Sequence, residues 1–177
     1  MASDYNAKLI VELYATDNAE NATRISDEMV AIGDPIFPRQ IYEAYKKFQK
    51  TSVSHYFVSD LTNFKTSDAT EILKEIAHTN VRSADIFMMV KYLTDIKYFD
   101  PEIVARIKSL FEKEINSGEV DEHTIEEHFA YLEQSGEGKD RLKSLLQICF
   151  EDDRQTIDAR RMALKKLLKL DAKEYIN

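Results

Sequence analysis

The sequence predicts an all-α protein, and three observations carry that prediction. Apolar residues recur at helical spacing through most of the 177 residues. Turn formers are few, with four Gly and three Pro, while Leu, Glu, Lys and Ala, all good helix formers, fill the longer patterned segments. Alternating runs long enough for strands are missing. The pattern divides into about ten helices that pair as five antiparallel hairpins, with an irregular helical bundle as the alternative. Residues 1–177 are most simply one domain, able to bury roughly 70% of its unfolded surface.

The elements follow in order. The first helix, Tyr5 to Tyr14, carries Leu9, Ile10 and Leu13 after a Ser3-Asp4 start. Thr16 to Ala22 is polar and turn-like. The second helix places Ile25, Met29, Val30 and Ile32 together and stops at Gly33, a residue favoured just past a helix end. Asp34 to Pro38 is an elbow. The third helix, Arg39 to Gln49, sets Ile41, Tyr45 and Phe48 on one side with Tyr42 beside them. Ser52 to Phe64 is a fourth, with Val53, Phe57, Val58 and Leu61, and Ser67-Asp68 caps a fifth with Ile72, Leu73 and Ile76.

The central hairpin, Val81 to Ile115, is the clearest unit. Ile86, Met89, Val90 and Leu93 fall at i, i+3, i+4 and i+7, widened by Phe87. Asp100-Pro101 opens the seventh helix with a capping side chain and the one residue that suits the first helical position. Ile103, Ile107, Leu110 and Phe111 form its stripe. Ser117-Gly118 ends it. Asp121 caps an eighth helix with Ile125, Phe129 and Leu132, ending near Ser135 to Gly138. Leu142, Leu145, Leu146 and Cys149 or Phe150 define a ninth. The tenth runs from about Arg154 to Leu170, with Ile157, Met162, Ala163, Leu167 and Leu170 as its apolar set.

Helix pairs recurring every thirty to forty residues or so are the mark of a helical solenoid. Ala31-Ile32-Gly33-Asp34-Pro35, followed by Ile36, Phe37 and Ile41, resembles the helix, Gly-Asp-Pro elbow and helix of HEAT-like repeats. Leu93-Thr94-Asp95 through Phe99-Asp100-Pro101-Glu102-Ile103 is a looser copy, its Asp-Pro 66 residues after the first. Asn80-Val81-Arg82 is similar to the Val-Arg step that opens the second helix of such repeats. The resemblance implies a curved stack of hairpins whose concave, inner-helix surface holds a protein, a peptide or a nucleic acid.

Composition narrows the function classes. A hydrophobic content of 44% with 32% charge suits a globular chain. The net charge of −8 disfavours a non-specific nucleic-acid binder, which needs a basic face to displace counterions. Cys149 is the single cysteine, so no internal disulfide forms. The first thirty or so residues lack a signal-peptide pattern, and no apolar run approaches the ~18 residues of a membrane span. The expected location is cytoplasmic.

Candidate chemistry is sparse. Glu122, His123, Glu126, Glu127 and His128 have metal-ligand residue types. Two histidines five apart on a helix are separated by roughly 140°, however, whereas a zinc helix needs them four apart. A solvated acidic face explains the cluster better. Cys149 lies in an apolar register, where thiols behave as small hydrophobes. His78 sits where a helix C-terminus favours positive charge. Asp152 and Asp153 suit capping. In the aromatic run from Tyr42 to Phe64, Tyr42 and Tyr56 are the two rings least tied to a core position and could line a groove.

The strongest asymmetry is in charge. Residues 154–173 hold seven Lys or Arg against Asp158 and Asp171, a local +5 that leaves −13 on the rest of the chain. Arg154, Arg161, Lys165 and Lys169 lie near a single stripe, flanked by Arg160 and Lys166. This pattern suits either a terminal helix that keeps the stack soluble or docks on the acidic body, or a stripe that binds an acidic partner or a phosphate backbone.

The expected function is therefore a non-enzymatic module that binds a protein partner through a concave or acidic surface. It needs no cofactor and no metal. Tyr42, Tyr56, Arg161, Lys165 and Lys169 are the candidate partner-binding residues. An alternative is an immunity or antitoxin-type inhibitor of a basic toxin or nuclease. A third, implied by the resemblance, is a nucleic-acid-binding or DNA-repair enzyme of the HEAT-like kind, which the acidic body and the absence of Trp disfavour.

Overall fold

The computed structural model describes residues 2–79, 83–118 and 120–174. Among these residues it forms ten helices and no strand: α1 (Ala2–Ala15), α2 (Ala19–Ile32), α3 (Phe37–Phe48), α4 (Ser54–Asn63), α5 (Ser67–His78), α6 (Ser83–Asp95), α7 (Pro101–Ser117), α8 (Glu122–Gln134), α9 (Lys139–Glu151) and α10 (Ile157–Glu174). The fold is all-α. No helix among the described residues is long and apolar enough to cross a membrane. Backbone contacts group into two compact units, Met1–Met89 and Val90–Asn177, with the boundary inside α6.

Most helix ends obey the local chemistry that predicts them. Gly33 and Gly118 close α2 and α7 in the left-handed region, at φ 72 and 81, where a side chain would clash with its own backbone. Asp100 accepts from Glu102 N and Ile103 N with Pro101 at the first position. Asp121 accepts from Thr124 N at 2.7 Å. Several starts differ from expectation, including α3, which begins at Phe37 inside the expected Asp34–Pro38 elbow rather than at Arg39, and α4, which begins at Ser54 rather than Ser52. α1 begins at Ala2, so Asp4 lies in its first turn. The turn expected over Thr16 to Ala22 shrinks to three residues because Asn18 accepts from Asn21 N and starts α2 at Ala19. α5 is capped by Thr66 rather than Ser67-Asp68, its hydroxyl accepting from Ala69 N. α10 starts at Ile157 rather than Arg154, since Thr156 accepts from Ala159 N. The Val-Arg step at Asn80-Val81-Arg82 lies outside the described residues.

In the Met1–Met89 unit the principal contacts join α1 to α2 and α3, α2 to α3 and α4, α3 to α4 and α5, and α4 to α5. Arg39 and Tyr42 of α3 meet Asp68 and Glu75 of α5, so helices two places apart run the same way. The core holds Met29, Phe37, Ile41, Phe57 and Leu61, each essentially sealed from solvent. Burying each such side chain stabilises the unit by about 1.5–3 kcal/mol.

In the Val90–Asn177 unit the contacts join α7 to α8 and α9, α8 to α9 and α10, and α9 to α10, the last pair being the most extensive. Lys143 near the start of α9 pairs with Asp171 near the end of α10 at 2.8 Å, which makes this hairpin antiparallel. Glu126 and Glu133 of α8 reach Lys166 and Lys169 of α10, so those two helices run parallel. Ile103, Ile107, Phe111, Phe129 and Tyr131 form the core.

The face that α10 buries departs from the sequence pattern. Ala159, Ala163, Lys166 and Leu170 point inward, whereas Ile157 stands 68% exposed. Apolar residues occur nearly all round this helix, so period alone does not choose a face. Small Ala159 and Ala163 let α10 lie close to its neighbours, and that decides the rotation.

Candidate functional site

A groove of about 310 Å³ lies in the Val90–Asn177 unit between the C-terminal half of α6 and one face of α8. Lys91, Thr94 and Asp95 line one wall; His123, Glu126, Glu127, Ala130 and Gln134 line the other. The α8 residues fall at i, i+3, i+4, i+7 and i+11, a single helical stripe, while Ile125, Phe129 and Leu132 face the core. The spacing that folds α8 thus also builds the wall.

Three carboxylates, Asp95, Glu126 and Glu127, face this space with Lys91 and His123. Burial holds the Glu127 carboxyl above the usual range, against the pull of Lys91 and His123. Glu126 behaves oppositely, because the hydrogen bond from Lys166, at 3.2 Å, keeps its carboxyl below that range. Glu127 is thus a partly desolvated anion with no ion pair recorded among the described residues. A guanidinium or ammonium brought into the groove would stabilise it. The Thr94 hydroxyl is engaged by its own helix, donating to Val90 O at 2.8 Å.

The acidic cluster read from sequence is split by its own helix. His123, Glu126 and Glu127 reach the groove, but His128 turns inward at 2% exposure. Its Nδ1 lies 3.1 Å from Thr124 O, its ring stacks on Phe111, and burial pushes its pKa down to about 4. Among the described residues no group of three His, Cys, Asp or Glu is placed to hold a metal ion. Burial pushes the Cys149 thiol up to about 11, which keeps it protonated at neutral pH.

The residues singled out for partner binding fall in three places. Tyr42 is buried at 6% exposure, stacked on Tyr45, with Lys46 Nζ 4.7 Å from its ring centre and its hydroxyl donating to Glu75 at 2.6 Å. Burial and the Glu75 carboxylate push its pKa up to about 12. Tyr56 is half exposed and its ring contact is with His55, so the two tyrosines have separate neighbours.

Arg161, Lys165 and Lys169 stand on the outer side of α10. Arg161 approaches Asp158 at 3.5 Å and Lys169 approaches Glu133 at 3.4 Å. Arg154 is not part of that stripe: it precedes α10, binds Asp152 through Nε and donates to Asn116 O at 3.1 Å. Sequence reasoning missed the α6 wall, because Lys91, Thr94 and Asp95 lie about thirty residues before the α8 cluster and share no motif with it. Compared with family models, with curated proteins and with solved structures, the chain matches none of them.

Proposed function

We propose that this protein is a non-enzymatic protein-binding module that uses the acidic α6/α8 groove to hold a basic side chain or basic segment of a partner. The observation that carries the reading is Glu127, a half-buried carboxylate in a groove that also gathers Asp95 and Glu126. A guanidinium entering there forms charge-assisted hydrogen bonds in a partly desolvated space, where they are strongest. The acidic balance of the chain outside residues 154–173 would steer a basic partner inward and quicken its association. A HEAT-like stack is the architecture this reading favours. It is supported by the principal contacts within each unit, which among the described residues join helices one or two places apart in the chain.

The test is affinity capture from nuclease-treated native lysate, with wild type beside an Asp95→Lys, Glu127→Lys variant. A basic protein held near stoichiometrically by wild type and released by the variant, at equal helical content, is the expected outcome. Capture that requires intact nucleic acid, or that is indifferent to the variant, overturns the reading.

A further inference from the structure

The outer side of α10 is built unlike a solvated helix face. Ile157, Arg161, Leu164 and Leu168 fall at i, i+4, i+7 and i+11 and make one ridge. Its three apolar members are 68%, 38% and 61% exposed. The opposite ridge, Ala159, Ala163, Lys166 and Leu170, has the same spacing and is buried. The helix is therefore apolar on two sides, and only one is covered.

The cations of α10 divide in the same way. Lys166, 8% exposed, reaches Glu126 at 3.2 Å and lies over the Phe129 ring, so it belongs to the packing of α10 on α8. Lys169 leans toward Glu133. Arg161 is 77% exposed at its side chain, and Lys165 has no ion pair recorded among the described residues. These two cations flank the exposed leucines. Beside them an open hollow of about 240 Å³, lined by Glu122, Asp158, Arg161, Met162 and Lys165, is large enough for one apolar side chain.

We propose that this ridge docks an amphipathic helix of a protein partner, with leucine-like residues on its inner face and carboxylates along its flanks. Rows of leucines two turns long would interdigitate with Leu164 and Leu168, and the carboxylates would pair with Arg161 and Lys165. The acidic remainder of the protein does not prevent this, since salt screens its charge beyond about 8–10 Å. A second copy seated α10 on α10 would set Arg161 and Lys165 against themselves, a like-charge contact. Phosphate backbones would leave the leucines unused. The proposal shares the protein-binding reading but uses a face separate from the α6/α8 groove.

The experiment is fluorescence anisotropy with a labelled helical peptide of about 18 residues that carries leucines at i, i+4, i+7 and i+11 flanked by Glu. Saturable binding tighter than about 100 μM is expected, weakened by salt. Arg161→Glu with Lys165→Glu, and separately Leu164→Ser with Leu168→Ser, should each weaken it at least tenfold with circular dichroism unchanged. The Asp95→Lys, Glu127→Lys variant should bind the peptide as wild type does, which separates this face from the groove. Absence of binding overturns the proposal, as does equal binding of a peptide with its leucines changed to serine. It is also overturned if phosphatidylserine vesicles bind in place of the peptide, or if sedimentation shows the α10 variants dissolving a self-associated dimer.

Discussion

Among the described residues, the two units bury charged-type side chains of opposite kinds. In Met1–Met89 the sealed charged-type residues are acids. Asp60, 6% exposed, accepts from Ser26, and Asp85, fully buried, accepts from Ser54 at 2.8 Å and from Tyr45 at 3.4 Å. In Val90–Asn177 they are bases: His128, whose Nδ1 lies against Thr124 O of its own helix, and Lys166, paired with Glu126. Either charge type can be buried among packed helices when neighbouring groups supply a polar contact. What differs is the response to pH.

Asp60 should produce the largest effect. Burial, reinforced by Asp27, pushes its pKa up from near 3.8 to about 7. Between those values the folded protein holds a proton that the unfolded chain has lost. Stability is therefore fully present below about pH 4 and declines as pH rises toward 7, by up to about 4 kcal/mol. Asp60→Asn keeps a hydrogen-bonding side chain without the charge. It should protect the first unit at pH 8 by an amount of that order and change little at pH 4. Amide hydrogen exchange, corrected for intrinsic rates and resolved by unit, would show it, and an unaltered pH slope in the variant would refute the assignment.

His128 should give a smaller effect of opposite sign. Burial lowers its pKa from 6.5 to about 4, so within that window the unfolded chain binds a proton that the fold refuses. Stability is then full above about pH 6.5 and falls as pH drops through 4, by up to about 3 kcal/mol. His128→Gln removes the charging and should flatten the acid-side slope in the second unit, at a cost of about 1 kcal/mol at neutral pH from the lost stacking on Phe111. A slope that survives the substitution would assign the acid sensitivity elsewhere.

These features differ in how far the sequence discloses them. Gly33, Asp100-Pro101, Gly118 and Asp121 announce their helix ends because capping is decided within four residues. The stripe of α7 is equally plain, since Ile103, Ile107 and Phe111 oppose charged positions. Asp60 and Asp85 are silent, because Ser26, Tyr45 and Ser54 lie 34, 40 and 31 residues away and only the stacked helices bring them in. The groove is half legible: the α8 wall can be read as a face, the α6 wall cannot. The exposed ridge of α10 escapes for a related reason, since a helix apolar on two sides has no single moment to read.

The smallest contrast returns to the two glycine caps, which sequence makes look interchangeable. Both residues adopt the left-handed conformation, so Ala at either position carries a backbone penalty of about 1 kcal/mol. The surroundings differ. A Cβ on Gly33 would find only Val30 O, at 3.9 Å, whereas one on Gly118 would lie 2.8 Å from Arg154 Cβ. Arg154 cannot easily retreat, since it is held by Asp152 and by Asn116 O. Gly118→Ala should therefore cost about 2–3 kcal/mol against about 1 for Gly33→Ala in urea unfolding. Asn separates the two causes, because it tolerates the left-handed region but still carries a Cβ. Gly33→Asn should be nearly neutral, while Gly118→Asn should remain costly until Arg154 is also replaced by Gly, since Ala would keep the Cβ that is met at 2.8 Å. If the two Asn variants behave alike, the difference between the caps lies in backbone conformation and not in the packing of Arg154.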